Sequence, residues 1–346
     1  MHPHATVAED SWSWERHVRS LERLIGNTPL LELRCRVRGE LRTVYAKHET
    51  RNFTGSIKDR MALHILTEAY RAQALRPGDE IVEATSGNTG IAMAAIGRVF
   101  EHQVRIYMPD WMSRERKLLI QSLGAEIVPV SREEGGFLGS IALAERYARE
   151  HERVFLPRQF DNQANVMAHY SSTGPELLAQ LAALDLEPTG FVAGVGTGGT
   201  VMGVGKLLRE RVPHATVHPL EPANSPTLRT GNKVGQHRIQ GISDEFIPSI
   251  VDLSALDELV DVWDGDAILM AQRLASEFGI GVGISSGANL LGALQVALRQ
   301  GPDSVVATVF ADSNKKYLST ALCEVEPARE DYLAPQVTLV GCRVLG

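Results

Sequence analysis

From residue 58 onward the chain alternates helix-like and strand-like segments that are joined by short connections. Residues 58–72 have the apolar spacing of an amphipathic helix, 80–84 form a short apolar strand, and 88–100 form a helix rich in small residues. The alternation continues through residues 104–149. Because parallel strands need crossover connections and carry helices on both faces, this pattern predicts an α/β fold with parallel strands.

A second alternating set follows, with strands predicted at 190–195, 215–221, 258–262 and 305–310. The polar, turn-rich stretch 161–174 is predicted to separate the two sets. We therefore predict two lobes, each an open, mostly parallel sheet flanked by helices. Residues 52–160 are predicted to form a smaller, mobile domain. Residues 1–51 and 161–346 are predicted to form a larger domain.

Charge and cysteine content narrow the functional class. The net charge of −7 comes without a dense Lys/Arg cluster, which argues against a nucleic-acid partner. Cys35, Cys323 and Cys342 are widely spaced and form no CxxC pair, so we expect neither disulfides nor a metal site. No apolar run reaches the ~18–20 residues of a membrane span, and residues 1–20 lack the apolar core of a signal peptide. We expect a cytoplasmic protein with no membrane partner.

Glycine- and serine-rich segments fall where predicted strands end, at 85–90, 194–200, 283–287 and 311–314. Ligands of open parallel sheets bind at the carboxyl ends of the strands. Four such loops in one chain predict one shared cleft.

The segment 194–200 reads Gly-Val-Gly-Thr-Gly-Gly-Thr between a strand and a helix. Its backbone N–H groups and the helix N-terminus suit a phosphate. The same residues satisfy GxGxxG at Gly194, Gly196 and Gly199, and Glu221 follows at the spacing of a ribose-binding acid. A nicotinamide-dependent oxidoreductase is therefore an alternative function for the chain. A further alternative is that these glycines serve only the tight packing of the strand against the helix.

Two further segments carry polar side chains at predicted helix starts. Lys58 follows Gly-Ser, where the helix dipole disfavours a cation, and a desolvated lysine suits a Schiff base. The alternative is an exposed lysine. The segment 85–90, Thr-Ser-Gly-Asn-Thr-Gly, offers donors for a carboxylate and the Asn88 amide for a phenolic oxygen. The alternative is a simple N-cap at Thr85 or Ser86.

Together these segments resemble the β-replacement pyridoxal-phosphate enzymes, the cysteine synthase and cystathionine β-synthase family. Residues 52–60 are similar to the family's N-P-x-G-S-x-K-D-R, 85–90 to its T-S-G-N-T-G, and 194–200 to its G-x-G-T-G-G-T. Further similar segments occur in order at 24–30, 108–116, 159–160, 173–176, 241–242, 283–287 and 317–320. The resemblance covers residues 21–322 and implies a fold type II, homodimeric enzyme that binds pyridoxal 5′-phosphate.

The resemblance also implies roles for single residues. Lys58 would form the Schiff base and move the substrate Cα proton, Asn88 would bond the cofactor O3′, and Ser285 would meet the pyridine nitrogen. The remaining cofactor ligands, which would bind the phosphate, are Gly196, Thr197, Gly198, Gly199 and Thr200. The residues that would hold the substrate carboxylate are Thr85, Ser86, Thr89 and Gln159.

The implied reaction is cysteine synthesis from O-acetylserine and sulfide. The sequence departs from the family at 311–313, Ala-Asp-Ser, and at 243–245, Ser-Asp-Glu. Carboxylates of Asp244 and Glu245 at a cleft mouth would disfavour O-phosphoserine as donor. They would also attract an ammonium, so an amino-acid nucleophile such as homocysteine stays open. A non-catalytic subunit that binds the cofactor is the remaining alternative.

Overall fold

The structure, a computed structural model, describes residues 13–243 and 245–345. Asp244 and most of the segment 1–20 lie outside these residues, and so do the predictions made on them. The helices are α1 (Trp14–Leu21), α2 (Lys58–Arg71), α3 (Asn88–Val99), α4 (Arg114–Ser122), α5 (Gly136–Glu150), α6 (Gln163–Ala168), α7 (Gly174–Ala182), α8 (Gly199–Arg211), α9 (Thr227–Thr230), α10 (Asp264–Phe278) and α11 (Ile284–Gln300). The strands are β1 (Leu30–Val37), β2 (Glu40–His48), β3 (Glu80–Ala84), β4 (Gln103–Pro109), β5 (Glu126–Val130), β6 (Val154–Phe155), β7 (Gly190–Gly194), β8 (Thr216–Pro222), β9 (Val260–Val262), β10 (Val306–Phe310) and β11 (Val337–Leu345).

The strands form two sheets, which confirms the predicted α/β class. The larger sheet has seven strands in the order β11-β1-β2-β10-β7-β8-β9. Strands β2, β10, β7, β8 and β9 run parallel, and β1 and β11 add an antiparallel edge. The smaller sheet has four parallel strands in the order β5-β4-β3-β6.

Each sheet is covered by helices on both faces. In β7, Phe191 and Ala193 pack with residues of α7 and α8, whereas Val192 packs with α10 and α11. In β3, Ile81 packs with α2 and α3, and Val82 packs with α5. Since successive side chains of a strand point to opposite faces, the helices of each set lie on opposite sides of the sheet. Of the helices in the described residues, none is both long and apolar enough to span a bilayer.

The prediction that 161–174 is turn-rich is wrong, although the segment does lie between β6 of the smaller sheet and β7 of the larger sheet. The segment contains α6 and a π-helical turn, His169–Thr173, which leads directly into α7. The buried side chains of this stretch are mixed: Asn165, His169 and Thr173 are polar, whereas Val166 and Ala168 are apolar. A helix with so few apolar residues on its buried face carries only a weak apolar stripe in its sequence, and so the pattern was missed.

Candidate active site

A cavity lies where loops leave the carboxyl ends of strands in both sheets. The loops after β3, β7 and β10 all reach it. The sequence-predicted residues that line it are Lys58, Thr85, Ser86, Asn88, Thr89, Gln159, Gly196, Thr197, Gly198, Thr200 and Ser285. Of the residues that the family resemblance implies for the cofactor and the substrate carboxylate, Gly199 alone lies outside this set, and it is the first residue of α8. The predicted loops thus meet in one cleft.

Lys58 is the first residue of α2, at the end of a turn that a buried carboxylate holds together. Asp59 accepts a hydrogen bond from the backbone N–H of Thr54 at 2.6 Å, and a second from the Thr54 hydroxyl. Burial raises the pKa of Asp59 to about 6, although these bonds oppose the rise. This cap fixes the backbone immediately before Lys58, and Lys58 itself lines the cavity.

The glycine-rich loop 194–200 forms the opposite wall. Gly198 has φ +87°, and a Cβ there would stand 2.1 Å from Cγ2 of Val251. A Cβ on Gly196 would stand 2.3 Å from the carbonyl oxygen of Gly241. The loop therefore needs glycine to adopt this backbone path. It ends at the N-terminus of α8 beside the cavity, where backbone N–H groups and the helix dipole suit an anion.

The loop 85–90 and its support come from the smaller sheet. Thr89 donates through its hydroxyl to Gln159 Oε1 at 2.6 Å, and Gln159 Nε2 donates to the carbonyl of Ala84 at 3.0 Å. Beneath them, the buried carboxylate of Glu83 accepts from the backbone N–H of Ala84 at 2.9 Å and of Gln159 at 3.3 Å. Burial raises the pKa of Glu83 to about 7. Hydroxyl and amide groups of this loop are thereby held at the cavity wall.

Sequence reasoning missed several lining residues, among them Arg116, Phe137, Gln240, Asn289 and Tyr317. Arg116 is 5% exposed and lies over the ring of Tyr317, with its Cζ 4.9 Å from the ring centroid. Both residues stand in segments that resemble the family, so a signal was present for them. Phe137 carried no such signal.

A buried charge network lies behind Lys58 and links three of the family-like segments, 24–30, 52–60 and 173–176. Arg60 donates to Glu49 at 2.6 Å and to both carboxylate oxygens of Glu176 at 2.7 Å. Lys47, fully buried, donates to Glu176 at 2.8 Å and to the carbonyl of Thr28 at 2.6 Å. Two cations therefore face two carboxylates, and the network ties β2 and α7 to the first turn of α2.

Two acidic residues that the sequence singled out lie elsewhere. Glu221, the expected ribose-binding acid, is buried and accepts the backbone N–H of Leu228 at 2.7 Å, and it does not line the cavity. Glu245 lines a second, outer cavity that shares Arg116 and Gln240 with the first. The dinucleotide reading of Gly194, Gly196 and Gly199 thus lacks its acidic partner.

The cavity fits pyridoxal phosphate. It combines a lysine at one helix start, a backbone cradle for a phosphate at another, and the amide of Asn88 and the hydroxyl of Ser285 on its walls. Gly196 and Gly198 have no room for a Cβ, which would overlap Gly241 and Val251, so the backbone of the loop can line the cavity along this path only with glycine. Each functional group of the cofactor, namely aldehyde, phosphate, phenol and ring nitrogen, therefore has a residue of matching chemistry in the same cleft.

Comparisons with known proteins agree with this chemistry. The family model described as "Pyridoxal-phosphate dependent enzyme" matches residues 21–312. A probable cysteine synthase of Bacillus subtilis is 42% identical over 299 residues, which cover 86% of this chain and 96% of that protein. A hydrogen sulfide-producing enzyme from Fusobacterium nucleatum is 55% identical, with a TM-score of 0.93 and coverage of 96% and 99%. The cysteine synthase of Entamoeba histolytica is 32% identical, with a TM-score of 0.82 and coverage of 97% of each chain.

Proposed function

Because this chain belongs to the family of pyridoxal-phosphate-dependent enzymes, we propose that it is a cysteine synthase, which replaces the acetate of O-acetylserine by sulfide. The observation that carries this proposal is the meeting of Lys58, the glycine-rich loop and the loop 85–90 at one cavity. Those three elements are what a β-replacement on an amino acid requires: an amine for the cofactor, an anion cradle, and donors for a carboxylate.

When bound, pyridoxal phosphate supplies an electron sink for the bonds at the substrate Cα. Lys58 would hold the cofactor covalently, and its amine, once released, would take the Cα proton. Acetate leaves with the electron pair of the Cβ–O bond, and hydrosulfide brings the pair that forms the Cβ–S bond. Lys58 then returns the proton to Cα, so that charge and atoms balance.

The other proposed site residues orient these groups. Gly196, Thr197, Gly198, Gly199 and Thr200 would bind the phosphate, while Asn88 would donate to the phenolic oxygen and Ser285 would meet the ring nitrogen. Thr85, Ser86, Thr89 and Gln159 would bind the substrate carboxylate. The smaller domain, residues 52–160, would close over the substrate to exclude water, because both sheets contribute walls to the cavity.

The attachment of the cofactor is tested by borohydride reduction of the purified, yellow protein, followed by peptide mapping. We expect one modified peptide, with the cofactor on Lys58. An adduct on another lysine, or bound nicotinamide nucleotide instead, contradicts the proposal.

A second candidate function is sulfide production from cysteine. It is favoured by the 55% identity to the hydrogen sulfide-producing enzyme, since breaking the Cβ–S bond of cysteine uses the same groups as forming it. Two assays on one preparation separate the candidates: cysteine formed from O-acetylserine and sulfide, and sulfide released from cysteine alone. A cysteine synthase gives the faster rate in the first assay. A faster second rate assigns the sulfide-producing function.

We further propose a cytoplasmic homodimer. The support is the family resemblance together with three cysteines that form no disulfide in the described residues. Sedimentation of the holoenzyme at the mass of two chains is the expected result, and sedimentation as a single chain contradicts the dimer.

A further inference from the structure

A second lysine is buried beside the proposed cofactor site. Lys316 is 3% exposed and ends a 3-10 turn, Asn314–Lys316, in the loop after β10. Its Nζ donates to Asn88 Oδ1 at 2.9 Å and approaches the carbonyl oxygen of Gly55 at 3.4 Å. Gly55 precedes Lys58 by three residues. The ammonium therefore lies between the loop that carries Lys58 and the start of α3, which Asn88 begins.

Asp312 holds the other end of the Asn88 amide. Asn88 Nδ2 donates to Asp312 Oδ2 at 2.6 Å, and the hydroxyl of Tyr317 donates to the same oxygen. Asp312 is 1% exposed. A lysine can only donate and a carboxylate can only accept, so these two neighbours dictate which end of the amide is oxygen and which is nitrogen. One N–H of the amide is left for the cavity that Asn88 lines.

We propose that Lys316 is a positioning residue for Asn88: it fixes the amide with its NH₂ toward the cofactor phenolic oxygen and keeps one positive charge behind that contact. This inference rests on the proposed function, because it assumes that Asn88 meets the cofactor.

The surroundings of Lys316 act on its charge in opposite directions. Burial lowers its pKa, the nearby Arg116 adds to the lowering, and the carboxylates of Asp312 and Asp59 oppose it. An ammonium bonded to a carboxamide oxygen also makes the opposite N–H groups of that amide stronger donors, because hydrogen bonds in series polarise one another. Lys316 would therefore strengthen the Asn88 contact as well as orient it.

The neighbouring residue supplies a matched control. Lys315 is exposed, whereas Lys316 is buried. Lys316→Met removes the donor and the charge while preserving the length of the side chain, and Lys315→Met makes the same chemical change on the surface. Lys316→Gln keeps a donor for Asn88 but removes the charge, and Lys316→Arg keeps both.

The experiment measures the dissociation constant of pyridoxal phosphate by equilibrium dialysis and the visible absorption band of the bound cofactor. We expect Lys316→Met to raise the dissociation constant about ten- to a hundredfold, the range of one charge-assisted hydrogen bond, and to move the band. Lys315→Met is expected to match the wild type, and Lys316→Arg to restore both properties. Lys316→Gln is expected to restore most of the affinity but not the band position.

A double-mutant cycle separates this role from general stabilisation. In an Asn88→Ala background, Lys316→Met should change the dissociation constant by less than about threefold, because its effect acts through the missing amide. The inference is overturned if Lys316→Met weakens cofactor binding equally with and without Asn88. It is also overturned if Lys316→Met and Lys316→Gln both leave the dissociation constant and the absorption band unchanged. Wild-type protein that binds no pyridoxal phosphate overturns the proposed function instead. Should Lys316→Met not fold, the band position decides the same question: Lys316→Gln should move the band when Asn88 is present and leave it unchanged in the Asn88→Ala background.

Discussion

Replacing Glu176 by glutamine should destabilise the protein by about 3 kcal/mol at pH 7. Glu176 accepts two hydrogen bonds from the guanidinium of Arg60 and one from the ammonium of Lys47. Its side chain is 15% exposed. In Glu176→Gln the two cations face one remaining carboxylate, Glu49. Removal of one partner from a buried ion pair costs about 3–5 kcal/mol, since the other charge remains desolvated.

The lowered pKa of Glu176, which arises from the same contacts, leads to a similar magnitude. Bonds from Arg60 and Lys47 outweigh burial and lower the pKa of Glu176 from 4.5 to about 2. At 1.36 kcal/mol per pKa unit this shift is worth about 3 kcal/mol. A carboxylate whose pKa is depressed by folding stabilises the protein above pH 4.5, and this contribution is lost as the pH falls toward 2. The difference between wild type and Glu176→Gln should therefore narrow over that range.

The assay is urea unfolding of the holoenzyme at pH 7 and pH 3, with the midpoint compared at constant slope. Glu258→Gln is the matched control, because Glu258 pairs with Arg299 at 3.0 Å but has a side chain that is 69% exposed. Such a surface pair contributes at most about 1 kcal/mol. A Glu176→Gln variant that loses no more than the control refutes the idea that the buried network stabilises the start of α2.

Three further results are expected. Lys58→Ala should fold and bind pyridoxal phosphate without a covalent bond, yet lose turnover by at least about 10²–10⁴-fold in a steady-state assay; near-normal turnover contradicts its role. Gly198→Val should weaken cofactor binding in equilibrium dialysis, because the residue has φ +87° and its Cβ would overlap Val251, and unchanged affinity counts against the cradle. In Glu83→Gln the urea midpoint should change less between pH 5 and pH 8 than it does in the wild type. Because folding raises the pKa of Glu83 to about 7, wild-type stability declines as the pH rises through that value. An equal decline in the variant disproves the assignment of this pH dependence to Glu83.

The sequence predicted those parts of the fold whose signal is local. Strand β3 has the predicted bounds, because buried parallel strands are short, nearly continuous apolar runs between turns. The hairpin β1–β2 and the strand β11 were missed. Their exposed positions carry charged residues such as Arg34 and Arg343, and their pairing joins the two ends of the chain.

The same distinction holds for the candidate site. Lys58 and the glycine-rich loop lie in short segments that resemble the family, so the signal for them was local in the sequence. The contact of Lys316 with Asn88, and that of Glu176 with Arg60, join residues far apart in the chain, so only the assembled fold brings them together. Arg116 and Phe137 line the cavity for the same reason, since their place depends on how the two sheets meet.

The order of strands in the larger sheet affects the biosynthesis of the protein. The smaller sheet lies entirely within residues 80–155, whereas β2 must wait for its parallel neighbour β10, almost at the end of the chain. Long-range pairings of this kind form slowly, and domains whose strands are contiguous fold first during translation. We therefore expect the smaller sheet to be complete while β2, already paired with β1, still has one open edge that waits for β10. Because residues next to β10 line the cavity, we expect the cofactor site to be complete only after both sheets have formed.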